Sequence, residues 1–394
     1  MDNTPITLTS LIWPPSIPVI PSGTMRLTTS TVNADIVIVG EHFERDEEVG
    51  FERLIVEYLH LDAWAGVSGF EIAFVDDPDT RPISVRHELP EPIAADVGGE
   101  YKVNLFFGSG FEASPRPFTS ATITQVAELA ISFSEKKSLR YLRDIAYRLQ
   151  HLISLGTRRS AFPVAMWGAT GPMGEARRVG IYYRTLGRTG TIKHRPEHHE
   201  MLFSLQDLPG GFGPAVEKWL ARAEILDPVY QRYLGTVYNP RMFLEQRFLN
   251  LAQALEAYHR RTTTTLDLPE DEHRKRMESI LGAVPEEHRE WLEGKLRYSN
   301  EPSLRKRIKH IFDGHPQTVD SVVGTSGQDK RSFVNKVIDT RNYRTHLDKS
   351  LEDRAARGEE LHRINDKLRK LLEMCLMAEI GFEDDEIKKA VTGL

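Results

Sequence analysis

Residues 333–346 read Phe-Val-Asn-Lys-Val-Ile-Asp-Thr-Arg-Asn-Tyr-Arg-Thr-His. Val334, Val337 and Ile338 recur at helical spacing, and Arg341 falls next on the same stripe. A charge that continues an apolar stripe needs a partner, because a buried unpaired charge is costly. Asn342 and His346 lie four apart and so share a helix face. An arginine, an amide and a histidine thus converge at one helix end, a set suited to binding a phosphate and moving a proton beside it. The competing structural reading is an arginine satisfied by an acidic neighbour, next to a surface histidine.

Outward from this stretch the C-terminal half is helical. Phe248, Leu251, Ala252, Leu255 and His259 form the inner stripe of a helix over about 241–261. Leu361, Ile364, Leu368, Leu371, Leu372 and Cys375 do the same over about 358–380. Further helices are expected over 270–282, 285–296 and 303–313, and a short one holds Val216, Trp219 and Leu220. Gly314, Pro316, Gly324 and Gly327 mark a flexible stretch before the opening helix.

The first half reads differently. Leu54, Val56 and Tyr58 alternate with their neighbours, as do Phe70, Ile72 and Phe74, and Tyr101, Val103, Leu105 and Phe107. Ile36 to Val39 and Leu129 to Phe133 add two more strands, and 164–167 and 180–183 two shorter ones. Residues 1–24 form an arm or an edge strand. One helix interrupts the series, capped by Ser134, striped by Leu142, Ile145, Ala146, Leu149, Leu152 and Ile153, and ended by Gly156. The expected fold is therefore α+β: a mainly antiparallel, sandwich-like β domain over 1–205 and an all-α bundle over 206–394.

Composition bounds the function. At 394 residues the chain holds two domains and a sizeable core. Its single cysteine, Cys375, excludes a disulfide framework and fits a reducing cytoplasm. The apolar stretch Leu11–Ile20 is broken by Pro14, Pro15 and Pro18, so neither a signal peptide nor a membrane span is expected. The formal net charge is −6, yet residues 241–394 hold 28 basic and 28 acidic side chains. The deficit lies in residues 1–240, and any phosphate binding must use a local groove.

Other constellations have plainer readings. His194, His198 and His199, with Glu197 and Glu200, have zinc-like spacing but lack a second pair of ligands, which favours an exposed loop. Arg305, Lys306, Arg307, Lys309 and His310 read as a solvated helix face, with a phosphate-backbone contact as the alternative. Glu256, Tyr258 and His259 end the long helix, where a satisfied core histidine is the plainer reading and a supporting role near the active helix the alternative. Pro209-Gly210-Gly211 is a turn without the Lys-Ser/Thr of a phosphate loop. No metal or cofactor is expected.

The C-terminal half resembles a HEPN domain, the helical bundle of many prokaryotic ribonucleases and toxins, whose mark of arginine, polar residue and later histidine maps onto Arg341, Asn342 and His346. The stretches Arg247–Leu251 and Ala254–Arg260, with Leu61, Asp62 and Trp64 in the β-rich half, resemble the ApeA-type members more specifically. The resemblance implies an RNA-cutting enzyme of anti-phage defence acting by abortive infection. It also implies a homodimer joined through the helical half, with a phage-derived trigger acting on the N-terminal domain.

In that chemistry RNA supplies its own nucleophile, the 2′-hydroxyl. Cleavage needs a base for that hydroxyl, an acid for the departing 5′-oxygen and positive charge on the phosphorus. His346 suits a proton role, Arg341 suits the phosphate, Asn342 orients one or the other, and Arg344 contacts RNA. One histidine cannot easily serve both sides of the phosphorus, so a symmetric dimer would bring the partner's His346 to a shared groove. Two other readings stay open: a helical module that binds RNA or a nucleotide without cutting it, and a scaffold with an internal ion pair at Arg341.

Overall fold

The computed structural model describes residues 4–16, 31–74, 83–117, 119–171, 177–183 and 195–393. They form two compact units, Met1–Ala221 and Arg222–Leu394.

The first unit contains β1 (Ile6–Ser16), β2 (Thr31–Val39), β3 (Gly50–Tyr58), α1 (Leu61–Ala65), β4 (Phe70–Phe74), β5 (Ile83–His87), β6 (Ile93–Val97), β7 (Tyr101–Ala113), β8 (Ala121–Ser138), α2 (Leu139–Thr157), β9 (Pro163–Ala169) and β10 (Val179–Tyr183). Eight strands make one antiparallel sheet in the order β1-β2-β10-β9-β3-β8-β7-β6, and β4 and β5 pair as a separate ribbon. The mainly antiparallel β unit is as expected, and α2 packs against β3 and β8. Leu54, Val56 and Tyr58 turn inward from β3, and the Tyr58 hydroxyl donates to the Ala146 carbonyl of α2 at 2.7 Å. On β7 the inward residues are Val103, Leu105 and Phe107.

Two details of α2 correct the sequence reading. Its cap is Ser138, which accepts from the Tyr141 backbone N–H, and not Ser134. Pairing of Gly50 with Ser138 and of Phe51 with Lys137 keeps the chain extended up to that point. Nor does Gly156 end the helix, which runs to Thr157 and stops at Arg158 with φ 52°. Gly156 is a close approach: a Cβ there would collide with the Trp64 indole and the Phe203 carbonyl.

The boundary between the units falls inside α3 (Phe212–Tyr238), which is 27 residues long and not the short helix expected. The second unit continues with α4 (Leu244–Thr262), α5 (Glu270–Ala283), α6 (Glu286–Leu296), α7 (Leu304–Gly314), α8 (Pro316–Val322), α9 (Gly327–His346), α10 (Gly358–Ile380) and α11 (Asp384–Thr392). The expected flexible stretch thus contains a helix, α8, with Pro316 at its start. The core lies between α4 and α10: Phe248, Leu251 and Leu255 meet a face of Leu361, Leu368, Leu371, Leu372 and Cys375, each at most 1 % exposed. Each such side chain contributes roughly 1.5–3 kcal/mol on burial. Helix α9 lies against α4 and α7 through Phe333, Val334 and Val337, with Phe333 stacked on Phe312 at 6.3 Å. By contrast, α5 and α6 form a hairpin without a single buried residue.

Candidate active site

The candidate residues sit on the last turn and a half of α9. Ser326 caps the start of this helix by accepting from the Asp329 N–H. Near its end Thr340 is fully buried and its hydroxyl accepts the Ala356 N–H at 2.9 Å, tying α9 to the segment before α10. The helix stops at Leu347, which adopts φ 53° and returns its N–H to the Tyr343 carbonyl, a common helix ending.

Arg341 is half-buried. Its Nη1 donates to the Asn342 Oδ1 at 3.2 Å, and its Nη2 lies 3.6 Å from the Glu256 Oε2 of α4. This answers the demand for a partner made by its place on the apolar stripe. Arg344 reaches the first turn of α4, where Glu245 lies 3.5 Å away, and its guanidinium sits 5.4 Å from the Tyr343 ring. Arg357 approaches the same ring at 5.8 Å. The Arg344 Nε is buried without a hydrogen-bond partner.

His346 is the final residue of α9 and is exposed to solvent. Beyond it, the Asp348 carboxyl titrates below its ordinary range, because the Ser350 hydroxyl and backbone N–H donate to it and, to a lesser degree, because His346 is near. Arg341 and Asn342 are therefore in direct contact. Arg344 stands beside them on a second carboxylate of α4, and His346 projects one turn further on. Such an arrangement can hold an anion on the guanidinium face while an accessible imidazole exchanges protons with solvent.

Comparison with known proteins adds the family. Residues 1–219 match the family model described as ApeA N-terminal domain 1. Residues 249–386 match the one described as Apea-like HEPN, a span that includes Arg341, Asn342, Arg344 and His346. The chain belongs to the ApeA-type HEPN family. Neither the curated proteins nor the solved structures contain a match to it.

Within the HEPN unit the sequence reading placed Glu256 near the active helix only as part of the alternative reading and missed Glu245. Glu256 and Glu245 are carboxylates on α4 that face the arginines of α9. The general signal for both is that a half-buried arginine needs a counter-charge. His259, three residues past Glu256, is the core histidine expected: its Nε2 lies 3.1 Å from the His310 Nδ1, and Thr263 and Arg307 approach its other nitrogen. Burial pushes its pKa down to about 4, and the Arg307 charge and His310 add to the shift.

The basic run on α7 is not wholly solvated. Arg307 is 4 % exposed and bound to Glu301 at 3.0 Å, whereas Lys309 and His310 face solvent. In the histidine loop of the N-terminal unit, His198 approaches Asp207 and His199 approaches Glu197, both at 3.5 Å, and His194 lies outside the described residues. Among the described residues no helix is long and apolar enough to cross a membrane.

Proposed function

We propose that this ApeA-type protein is a metal-independent endoribonuclease of anti-phage defence. The observation that carries the reading is the convergence of Arg341, Asn342 and a solvent-facing His346 at one helix end inside the span matched as HEPN. Arg341 takes the scissile phosphate, where its planar, permanently charged fork stabilises charge that grows at phosphorus. Asn342 holds that fork through its side-chain oxygen. Arg344 contacts the adjoining RNA backbone. His346 protonates the departing 5′-oxygen, a role its accessibility permits. The 2′-oxygen attacks phosphorus as the bond to the 5′-oxygen breaks, leaving a 2′,3′-cyclic phosphate and a 5′-hydroxyl.

HEPN domains commonly dimerise and act on RNA, which supports a homodimer joined through the helical units with two such helix ends along one groove. The β-rich unit would then sense a phage-derived trigger and restrain the nuclease until infection, which gives an abortive outcome. Purified protein incubated with total RNA tests the reading. Fragments ending in cyclic phosphate are expected from the wild type and none from His346→Ala. RNA bound but left intact by the wild type would instead support the non-catalytic binding module.

A further inference from the structure

We infer that Glu256 is the general base of this site and takes the proton from the 2′-hydroxyl. The inference rests on the ribonuclease reading above and supplies a group that reading lacks. A concerted cleavage needs a base on one side of the phosphorus and an acid on the other, and the α9 motif offers a single imidazole. The sequence suggests a second copy of His346 from the partner. The structure places a carboxylate of the same chain, Glu256, beside Arg341.

Glu256 Oε2 lies 3.6 Å from Arg341 Nη2 and so borders the surface on which the phosphate would rest. Glu256 keeps 24 % of its side chain exposed and Arg341 keeps 30 %, so both remain reachable by a substrate. Arg260 is a poor rival for the carboxylate, being 3.8 Å from Glu256 but 2.8 Å from Glu301. His346 follows Arg341 by five residues, roughly 7.5 Å along the helix axis. A phosphate seated on Arg341 therefore borders a carboxylate of α4, with the solvent-facing imidazole at the end of the same helix that carries the arginine.

The step balances without further reagents. The 2′-hydroxyl proton passes to the Glu256 carboxylate, and the 2′-oxygen forms its bond to phosphorus. The bond from phosphorus to the 5′-oxygen breaks, and protonated His346 gives that oxygen its proton. Glu256 ends neutral and His346 ends neutral, and exchange with water restores both. Arg341 counters the phosphate charge throughout and, in the free protein, the charge of Glu256. Substrate binding replaces that second task with the first, which leaves the carboxylate free to accept a proton.

A structural counter-ion and a base are separated by Glu256→Gln. The amide keeps an oxygen that accepts from Arg341 but cannot take up a proton at neutral pH. If Glu256 is the base, kcat falls by about a hundredfold or more while KM stays within about threefold. The acid limb of the pH–rate profile is also lost. If Glu256 only positions Arg341, the variant keeps at least a third of the wild-type kcat with an unchanged profile, and the inference is overturned. Thermal melting checks folding, and Glu256→Asp serves if the amide variant does not fold: a base role shifts the acid limb, and an unmoved limb overturns the proposal. Wild-type protein that cuts no RNA would sink the ribonuclease reading itself. Active wild type, inactive His346→Ala and fully active Glu256→Gln would sink only the role of Glu256.

Discussion

His151 makes the acid stability of the β-rich unit predictable. It sits on α2 at 1 % exposure, against the Tyr147 ring at 4.1 Å. Burial pushes its pKa down to about 3, whereas an unfolded histidine titrates near 6.5. Between those values the unfolded chain binds the proton and the folded one does not. The contribution is therefore complete above pH 6.5 and is lost as pH falls toward 3. With 1.36 kcal/mol per pKa unit, going from pH 7.5 to 5.0 removes about 2 kcal/mol, a large share of the 5–15 kcal/mol typical of a folded protein. The assay is urea unfolding at both pH values followed by tryptophan emission, since Trp64 and Trp219 are fully buried in this unit. His151→Leu has no proton to take up there and should lose about 2 kcal/mol less than wild type over that interval. Comparing each protein with itself cancels the baseline cost of the substitution. Equal pH dependence in the two proteins, or a His151 ring resonance titrating near 6.5 in the folded state, would refute the reasoning.

His346→Ala should abolish cleavage by at least about a hundredfold while changing stability by no more than about 0.5 kcal/mol, because the side chain is exposed; product assays and melting curves check the two halves. Cleavage should continue undiminished in EDTA, and activity that vanishes with chelation and returns with Mg²⁺ would contradict the chemistry. Thr340→Val should cost about 1–3 kcal/mol, because it strands the buried Ala356 N–H; chemical denaturation measures this. Mass in solution should be that of a homodimer, and a fully active monomer would argue against the shared groove.

Much of the fold is legible because half-buried elements print their period in the sequence. The alternation of Leu54, Val56 and Tyr58 and the stripe from Leu361 to Cys375 both carry through to the buried set. Short elements lack that print: α8 and α11 have seven and nine residues, too few for a repeating stripe. Helix α3 is longer than the short helix read around Val216, Trp219 and Leu220, and it carries Pro228 in its interior. The stripe nevertheless continues through Val229, Tyr230, Tyr233 and Leu234, and burial of those residues outweighs the lost hydrogen bond. The site follows the same logic. Arg341, Asn342 and His346 are neighbours on one helix and could be read together. Glu256 is 85 positions away from Arg341 in the chain, and only the docking of α9 on α4 brings the two side by side.

The hairpin of α5 and α6 has a different consequence. It is held at its base by Asn300, whose carbonyl and side-chain oxygens accept the N–H groups of Asp267 and Leu268 and whose amide donates to the Leu268 carbonyl. Above that clasp, Trp291 is 65 % exposed and nothing of α5 or α6 enters the core. Fraying of this arm therefore costs the rest of the helical unit almost nothing. Its amides should exchange with deuterium ahead of those of α4 and α10, and a protease should nick it first. The tip near 283–285 is accordingly the natural place to graft a fluorophore or an affinity handle without disturbing the candidate site at the end of α9.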